Sequence, residues 1–249
     1  MRQVIYLDSV DSTNSRLKHI AGTVPNGTAV IADLQTAGRG RLGRNWLSRP
    51  GDGAWFSVLV KDERLTPENA GGLVFCCALA AADVLKKISG REILIKWPND
   101  LVLNGKKLCG ILCESGYNGG RLDWAVCGIG INLNAENFPP DLPYAASLRM
   151  ETGIVSDCRK VAMDTLDKFD TYAQMLYNQG LNSLIDLISP ISATLGREVR
   201  AVNGEKELTG VAERLLPDGS LLINTADGPV SVRAGEVSVR GLYGYIFGG

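Results

Sequence analysis

The dipeptide Asn104-Gly105, set between the apolar runs Leu101–Leu103 and Lys107–Leu112, does most to restrict how this chain folds. Asn-Gly takes two consecutive positive-φ positions at low cost, so it predicts a two-residue β-hairpin with a fixed register. In that register Leu103 faces Lys106, Val102 faces Lys107 and Asp100 faces Cys109. Side chains alternate along strands, so Asp100, Val102, Lys107 and Cys109 are expected on one face and Lys106 on the other. A carboxylate and an ammonium on so apolar a ribbon are a cross-strand ion pair or a pair put to use.

Around the hairpin the pattern alternates between strands and helices. Val4–Leu7, Thr28–Asp33, Ala54–Val60, Ile93–Ile95 and Trp124–Leu133 read as further strands. Asp11-Ser12-Thr13 supplies N-cap chemistry for a helix over Asn14–Ile20. Thr66-Pro67-Glu68 predicts the start of a long helix running to about Ile88, whose middle, LVFCCALAAADVL, is apolar on nearly all sides and belongs against a sheet. Residues from about Val155 to Ser189 read as helical, with a break at Gln179-Gly180. Beyond Ser189-Pro190 the texture changes. Asn203-Gly204, Pro217-Asp218-Gly219 and Asp227-Gly228 punctuate short β-type runs, predicting a small antiparallel barrel after a boundary near Thr194–Leu195.

Gly38-Arg39-Gly40-Arg41-Leu42-Gly43-Arg44 interleaves glycines with arginines. Glycine permits close backbone approach and movement, and arginine forks match phosphate or carboxylate, so the segment predicts a mobile loop closing on an anion. Its G-x-G-x-x-G spacing imitates a dinucleotide fingerprint. However, Arg-Asn-Trp-Leu-Ser-Arg-Pro-Gly follows Gly43, and that run will not open the helix the fingerprint needs. No P-loop is present. With 26 basic and 27 acidic residues, the net charge of −1 disfavours DNA or RNA as the main partner. The start MRQVIYLDSV lacks the features of a signal peptide, and no run of about 18 apolar residues suggests a membrane span. These features predict a cytoplasmic protein without membrane or DNA partners. The six cysteines at 76, 77, 109, 113, 127 and 158 fit that compartment and read as buried reduced thiols. With His19 the lone histidine and no CxxC pair, zinc is not expected.

Asp11-Ser12-Thr13-Asn14, the segment Gln35–Trp46, Lys96-Trp97-Pro98-Asn99-Asp100, Lys107-Leu108-Cys109-Gly110-Ile111-Leu112 and Gly128-Ile129-Gly130-Ile131-Asn132, in this order and spacing, resemble the biotin–protein ligases. Cys109 departs from the alanine frequent there, and Trp55-Phe56-Ser57 varies a usual aromatic pattern. The resemblance implies an α+β fold: a mixed β-sheet packed with helices over residues 1–194, then an SH3-like all-β barrel over 195–249. It also implies a ligase-only form without the helix-turn-helix domain of family members that act as repressors. The chemistry implied is activation of biotin by ATP with Mg2+ to biotinyl-5′-AMP, then transfer to a lysine of a biotin carboxyl carrier protein or domain. By the same match Ser12, Thr13, Asn14, Gln35, Gly38, Arg39, Gly40, Arg41, Lys107 and Gly110 would bind biotin. Trp46, Asn99 and Asn132 would bind the nucleotide. Arg41, Lys107 and Asp100 would be catalytic, Asp100 either receiving or orienting the proton of the incoming lysine or holding Lys107 or a magnesium-bound phosphate. Trp97 and Trp124 read as core. A homodimer formed by extension of the main sheet is also implied. Lipoate-type ligation by the same adenylate chemistry and a non-enzymatic RNA-associated module remain as alternatives.

Overall fold

The hairpin closes at the predicted turn, with φ 51° at Asn104 and 78° at Gly105. A computed structural model describes residues 2–119, 121–203, 206–234 and 238–241. The predicted Asn203-Gly204 turn lies partly outside them, as does the end of the 195–249 unit.

The first sheet has seven strands: β1 (Val4–Val10), β2 (Ala29–Gln35), β3 (Gly53–Val60), β4 (Leu94–Lys96), β5 (Asp100–Leu103), β6 (Lys106–Asn118) and β7 (Arg121–Asn132). Their spatial order is β1-β2-β3-β7-β6-β5-β4. Only β1 and β2 are parallel, joined by helix α1 (Thr13–Ile20), so the sheet is mixed as expected. β3 is buried at every position because both faces of the sheet are covered there. On one face α1 contributes Leu17 against Val30, Leu59 and Val126. The other face carries α2 (Leu73–Ser89) and α4 (Cys158–Gln179), with α5 (Leu181–Ile188) beyond the break at Gly180; a short α3 (Leu148–Thr152) precedes them.

Two expectations need correction. The Thr66-Pro67 signal makes a turn, followed by a 3-10 turn at Ala70–Gly72, and the α-helix starts only at Leu73. A Cβ at Gly72 would lie 2.7 Å from Leu176 Cδ1, so this glycine serves the close approach of α4. In the hairpin, Leu103↔Lys106 and Val102↔Lys107 pair as predicted, but a bulge follows and Asp100 pairs with Gly110 while Leu101 pairs with Cys109. Leu101, Leu103, Leu108 and Cys109 pack in the main core, whereas Val102 packs with Ala193. Cys109 therefore does not share the face of Asp100 and Lys107.

The second sheet holds β8 (Glu198–Asn203), β9 (Lys206–Leu215), β10 (Leu221–Thr225), β11 (Gly228–Val232) and β12 (Ser238–Gly241) in the antiparallel order β11-β10-β9-β8-β12. Turns at Pro217–Gly219 and Asp227-Gly228 connect its strands as predicted. Its buried Val199, Ala201, Leu221, Ile223 and Val239 are continuous with the core of the first sheet. Trp97, buried as expected, donates its indole N–H to Gly219 O, and the buried Lys96 donates to Val239 O at 2.7 Å. Trp124 is half-buried against the α1 cluster. Among the described residues no helix is long and apolar enough to cross a membrane.

Candidate active site

A cavity of about 680 Å³ opens where the N-terminus of α1, the arginine loop and the Lys96–Asp100 turn converge. Six basic side chains (Arg39, Arg41, Arg44, Lys96, Lys107 and Arg200) and two acidic ones (Asp100 and Asp141) line it. That imbalance, in a chain almost neutral overall, marks a site for an anion.

One end of the cavity is a buried polar network. Ser12 caps α1, and its hydroxyl faces the Ser15 amide. Thr13 donates its backbone N–H to Gln35 Oε1 at 3.0 Å, and its hydroxyl lies 2.7 Å from that of Ser57. Ser57 donates to Asn14 Oδ1 at 2.6 Å, while Asn14 Nδ2 donates to Leu112 O and to Glu114 Oε2. Gln35 Nε2 reaches Ser48 at 3.1 Å. Ser12, Thr13, Asn14 and Ser57 are all buried; Thr13, Asn14 and Ser57 hold one another in position, and Ser12 is held by its cap bond. Glu114 also takes Lys18 Nζ at 2.7 Å and faces Arg39 at 3.5 Å. Burial alone would raise its carboxyl. Hydrogen bonds from Lys18 and Asn14 and the nearby cations outweigh that and hold it below the usual carboxylate range.

The floor is sheet backbone bared by glycines. A Cβ on Gly128 would sit 2.2 Å from Asn14 Oδ1. Cβ atoms on Gly110 and Gly130 would lie 2.7 and 2.6 Å from the Trp46 ring. Trp46 thus lies on the floor, its indole N–H buried and without a hydrogen-bond partner. Lys107 Nζ stands 5.3 Å from its ring centroid.

At the other end Lys107 Nζ lies 2.6 Å from Asp100 Oδ1. Lys106 points outward to Glu151 at 3.3 Å, so the hairpin separates the two lysines as the sequence suggested. Arg41 donates to Asn99 Oδ1 at 3.0 Å and to the carbonyl of Ala234, two residues past the end of β11. Burial lowers its guanidinium below the usual value, with Asp100 acting in the opposite sense and Arg44 in the same sense. Asn99 Nδ2 donates to Ile111 O, and Asn132 Nδ2 to Ala146 O. Arg41–Gly43 forms one 3-10 turn with Leu42 at φ 56°, then Asn45 bridges back to Arg39; no helix opens there.

Every residue expected to bind or react lines the cavity except Gly38. Gly38 lies just behind it, where a Cβ would meet Trp46 O at 2.5 Å. Sequence reasoning missed Ser57, Glu114, Lys96 and Arg200. Ser57 carries a usable signal, as the one polar side chain in the run Ala54–Val60. Arg200 carries none, since it reaches the cavity only through the docking of the second sheet.

Residues 6–132 match the biotin/lipoate A/B protein ligase family, and 194–240 match the biotin protein ligase C-terminal domain. The chain is similar to the biotin–[acetyl-CoA-carboxylase] ligase of Paracoccus denitrificans, 32% identical over 94% of this chain and 100% of that one. To the bifunctional ligase/repressor BirA of Escherichia coli K12 it is 31% identical, spanning 95% of this chain and 74% of the relative. The structure of the Aquifex aeolicus biotin protein ligase in complex with biotin and ATP superposes with a TM-score of 0.86 at 34% identity. That match covers 96% of this chain and 99% of that one.

Proposed function

This chain belongs to the biotin/lipoate A/B protein ligase family, and from that premise we infer that it is an ATP-dependent biotin–protein ligase. It activates biotin as biotinyl-5′-AMP and then passes the acyl group to a lysine. The observation that carries the reading is the division of one cavity into a neutral donor-and-acceptor network and a cationic end. The ureido ring of biotin is neutral and needs both donors and acceptors; its carboxylate and the phosphates of ATP need cations.

In the first step the biotin carboxylate attacks the α-phosphate of ATP, and the bond to pyrophosphate breaks. Such transfer depends on positioning and charge neutralisation. We propose that Ser12, Thr13, Asn14 and Gln35, with backbone near Gly38, Gly40 and Gly110, hold the ureido ring. Arg39, Arg41 and Lys107 then bring carboxylate and α-phosphate together. Trp46, Asn99 and Asn132 serve the nucleotide, Trp46 offering its buried indole N–H and its ring face. Asp100, held by Lys107, orients that ammonium and is the carboxylate available to receive the proton of the attacking lysine in the second step.

Mg2+ suits this site as an ion carried on the triphosphate, where it would neutralise the leaving pyrophosphate. No group of three carboxylate, histidine or thiol ligands gathers in the cavity among the described residues. The acceptor we propose is the carrier protein or domain of a biotin-dependent carboxylase, in the cytoplasm. The units 1–194 and 195–249 are proposed as catalytic and C-terminal domains, the second helping to hold Arg41 through Ala234. A homodimer through β1 fits the sheet, since the β4 edge is already bridged by Ser192.

The test is exchange of labelled pyrophosphate into ATP with biotin, lipoate or no acid. Exchange with biotin alone is expected. Exchange with lipoate alone would transfer the reading to lipoate ligation, and none at all in folded protein would end it.

A further inference from the structure

Apart from the active site, the structure gathers a second set of reactive side chains. We propose that Cys77, Cys113 and Cys127 form a three-thiol site for a trivalent thiophilic centre, of which arsenite is the simplest. Nothing in this proposal depends on the ligase reading.

The three Sγ atoms all lie within 4.8 Å of one another. Three sulfurs bound to one pyramidal thiophilic atom at about 2.3 Å stand about 3.5 Å apart, so closure needs shifts of at most a little over about an ångström. The thiols are fixed by regular structure. Cys113 on β6 stands directly across from Cys127 on β7, and Cys77 comes down on both from the buried face of α2. Leu112 and Glu114 engage α1, so alternation along β6 puts Cys113 on the opposite face from the substrate cavity. Cys113 is half-buried as a residue, and Cys77 and Cys127 are buried.

Charge decides the ligand class. Thiolates prefer soft ions over hard ones. Three thiolates around a monovalent ion leave two net negative charges in this apolar core, and around a divalent ion one. Burying a net charge without a partner is costly. A trivalent centre leaves none. Arsenite, As(OH)3, condenses with three thiols: three As–S bonds form, three As–O bonds break, and the thiol protons leave with the hydroxyls as three waters. No electron changes hands. The sequence hides this site because the three cysteines come from separate elements and share no metal-binding spacing.

The test uses reduced full-length protein titrated with sodium arsenite under anaerobic conditions. It is read by native mass spectrometry and by counting reactive thiols after denaturation. The expected result is one arsenic per chain with loss of three hydrogens, and three of the six cysteines protected. Cys113→Ala and Cys127→Ala should each lose the three-thiol adduct, whereas Cys158→Ala should keep it. Should either variant fail to fold, the wild-type thiol count decides alone. Absence of an adduct, protection of only two thiols, or an unchanged adduct in Cys113→Ala would overturn the proposal. So would Zn(II) or Cu(I) displacing arsenite from the cluster, because the charge argument predicts the reverse order.

Discussion

The two ends of the active-site cavity are built on different principles. Thr13, Asn14 and Ser57 are buried and already bonded to one another, half-buried Gln35 joins them through Thr13, and buried Ser12 caps α1. The arginine loop has exposed Leu42, Gly43 and Arg44, a single 3-10 turn, and contacts that reach distant elements. A pre-bonded network recognises a neutral ring at little ordering cost, because the side chains have little freedom left to lose. A loop of cations and glycines gains partners when an anion arrives, and so can act as a lid. The difference predicts that changes at the network act through substrate affinity and changes at the loop through retention of the intermediate.

The largest effect is expected where the two ends meet the reacting atoms. Lys107→Ala should lower biotin-dependent pyrophosphate exchange on the order of 10²–10³-fold, the usual cost of removing a donor aimed at developing charge. Lys106→Ala should stay close to wild type, because its ammonium faces Glu151 outside the cavity. Equal losses would mean that the face argument fails at the hairpin.

Gly128→Ala probes the rigid end. The added methyl would lie 2.2 Å from Asn14 Oδ1 and must displace it. Misplacement of a binding group by about 1 Å costs on the order of 100-fold. The loss should fall on KM for biotin, with kcat at saturation less affected. A fall in kcat alone would show that this end does not hold the ring.

Arg41→Gly probes the mobile end. A charge-assisted hydrogen bond contributes about 1.5–3 kcal/mol, so the intermediate should escape on the order of 10–100-fold faster. A mixed acyl-phosphate anhydride hydrolyses readily, so escape should appear as free biotin and as label on stray lysines. Single-turnover release of labelled intermediate measures it. Retention equal to wild type would remove Arg41 from the lid.

The sequence exposes these two ends unequally. The Asn104-Gly105 turn is legible because turn conformation is a local property of two residues, and it correctly separates Lys106 from Lys107. The bulge beside it is not, because it answers to the burial of Leu108 and Cys109 in a core assembled from remote elements. Thr66-Pro67 carries a genuine local signal, yet Gly71-Gly72 and the approach of α4 place the helix start farther on. Ser12, Thr13, Asn14 and Gln35 come from the family resemblance; the bonds of Thr13 and Asn14 to Ser57 do not, since hydrogen bonds between β3 and α1 have no trace in spacing. The contact from Arg41 to Ala234 is likewise tertiary. Glycines 110, 128 and 130 acquire their meaning only when Asn14 and Trp46 are seen lying on them.

The smallest expected effect lies at Glu114, a side chain that touches both ends, through Asn14 on one side and Arg39 on the other. Lys18 and Asn14 outweigh burial and hold its carboxyl below the usual range. A depressed carboxylate stabilises the folded state above its unfolded pKa of about 4.3, and that contribution fades as pH falls through the lower folded value. Glu114→Gln removes it. Wild type should therefore exceed the variant in stability above the unfolded pKa, and the two should converge as pH falls through the lower folded value. Urea midpoints measured across that range check the sign. The same substitution loosens Arg39 as well as Asn14, so it also compares the two ends within one protein. A small rise in KM for biotin with unchanged retention of the intermediate would place Glu114 with the network. Faster release with unchanged KM would place it with the lid. A stability difference that stays constant as pH falls into the acid range would show that its charge is not what joins them.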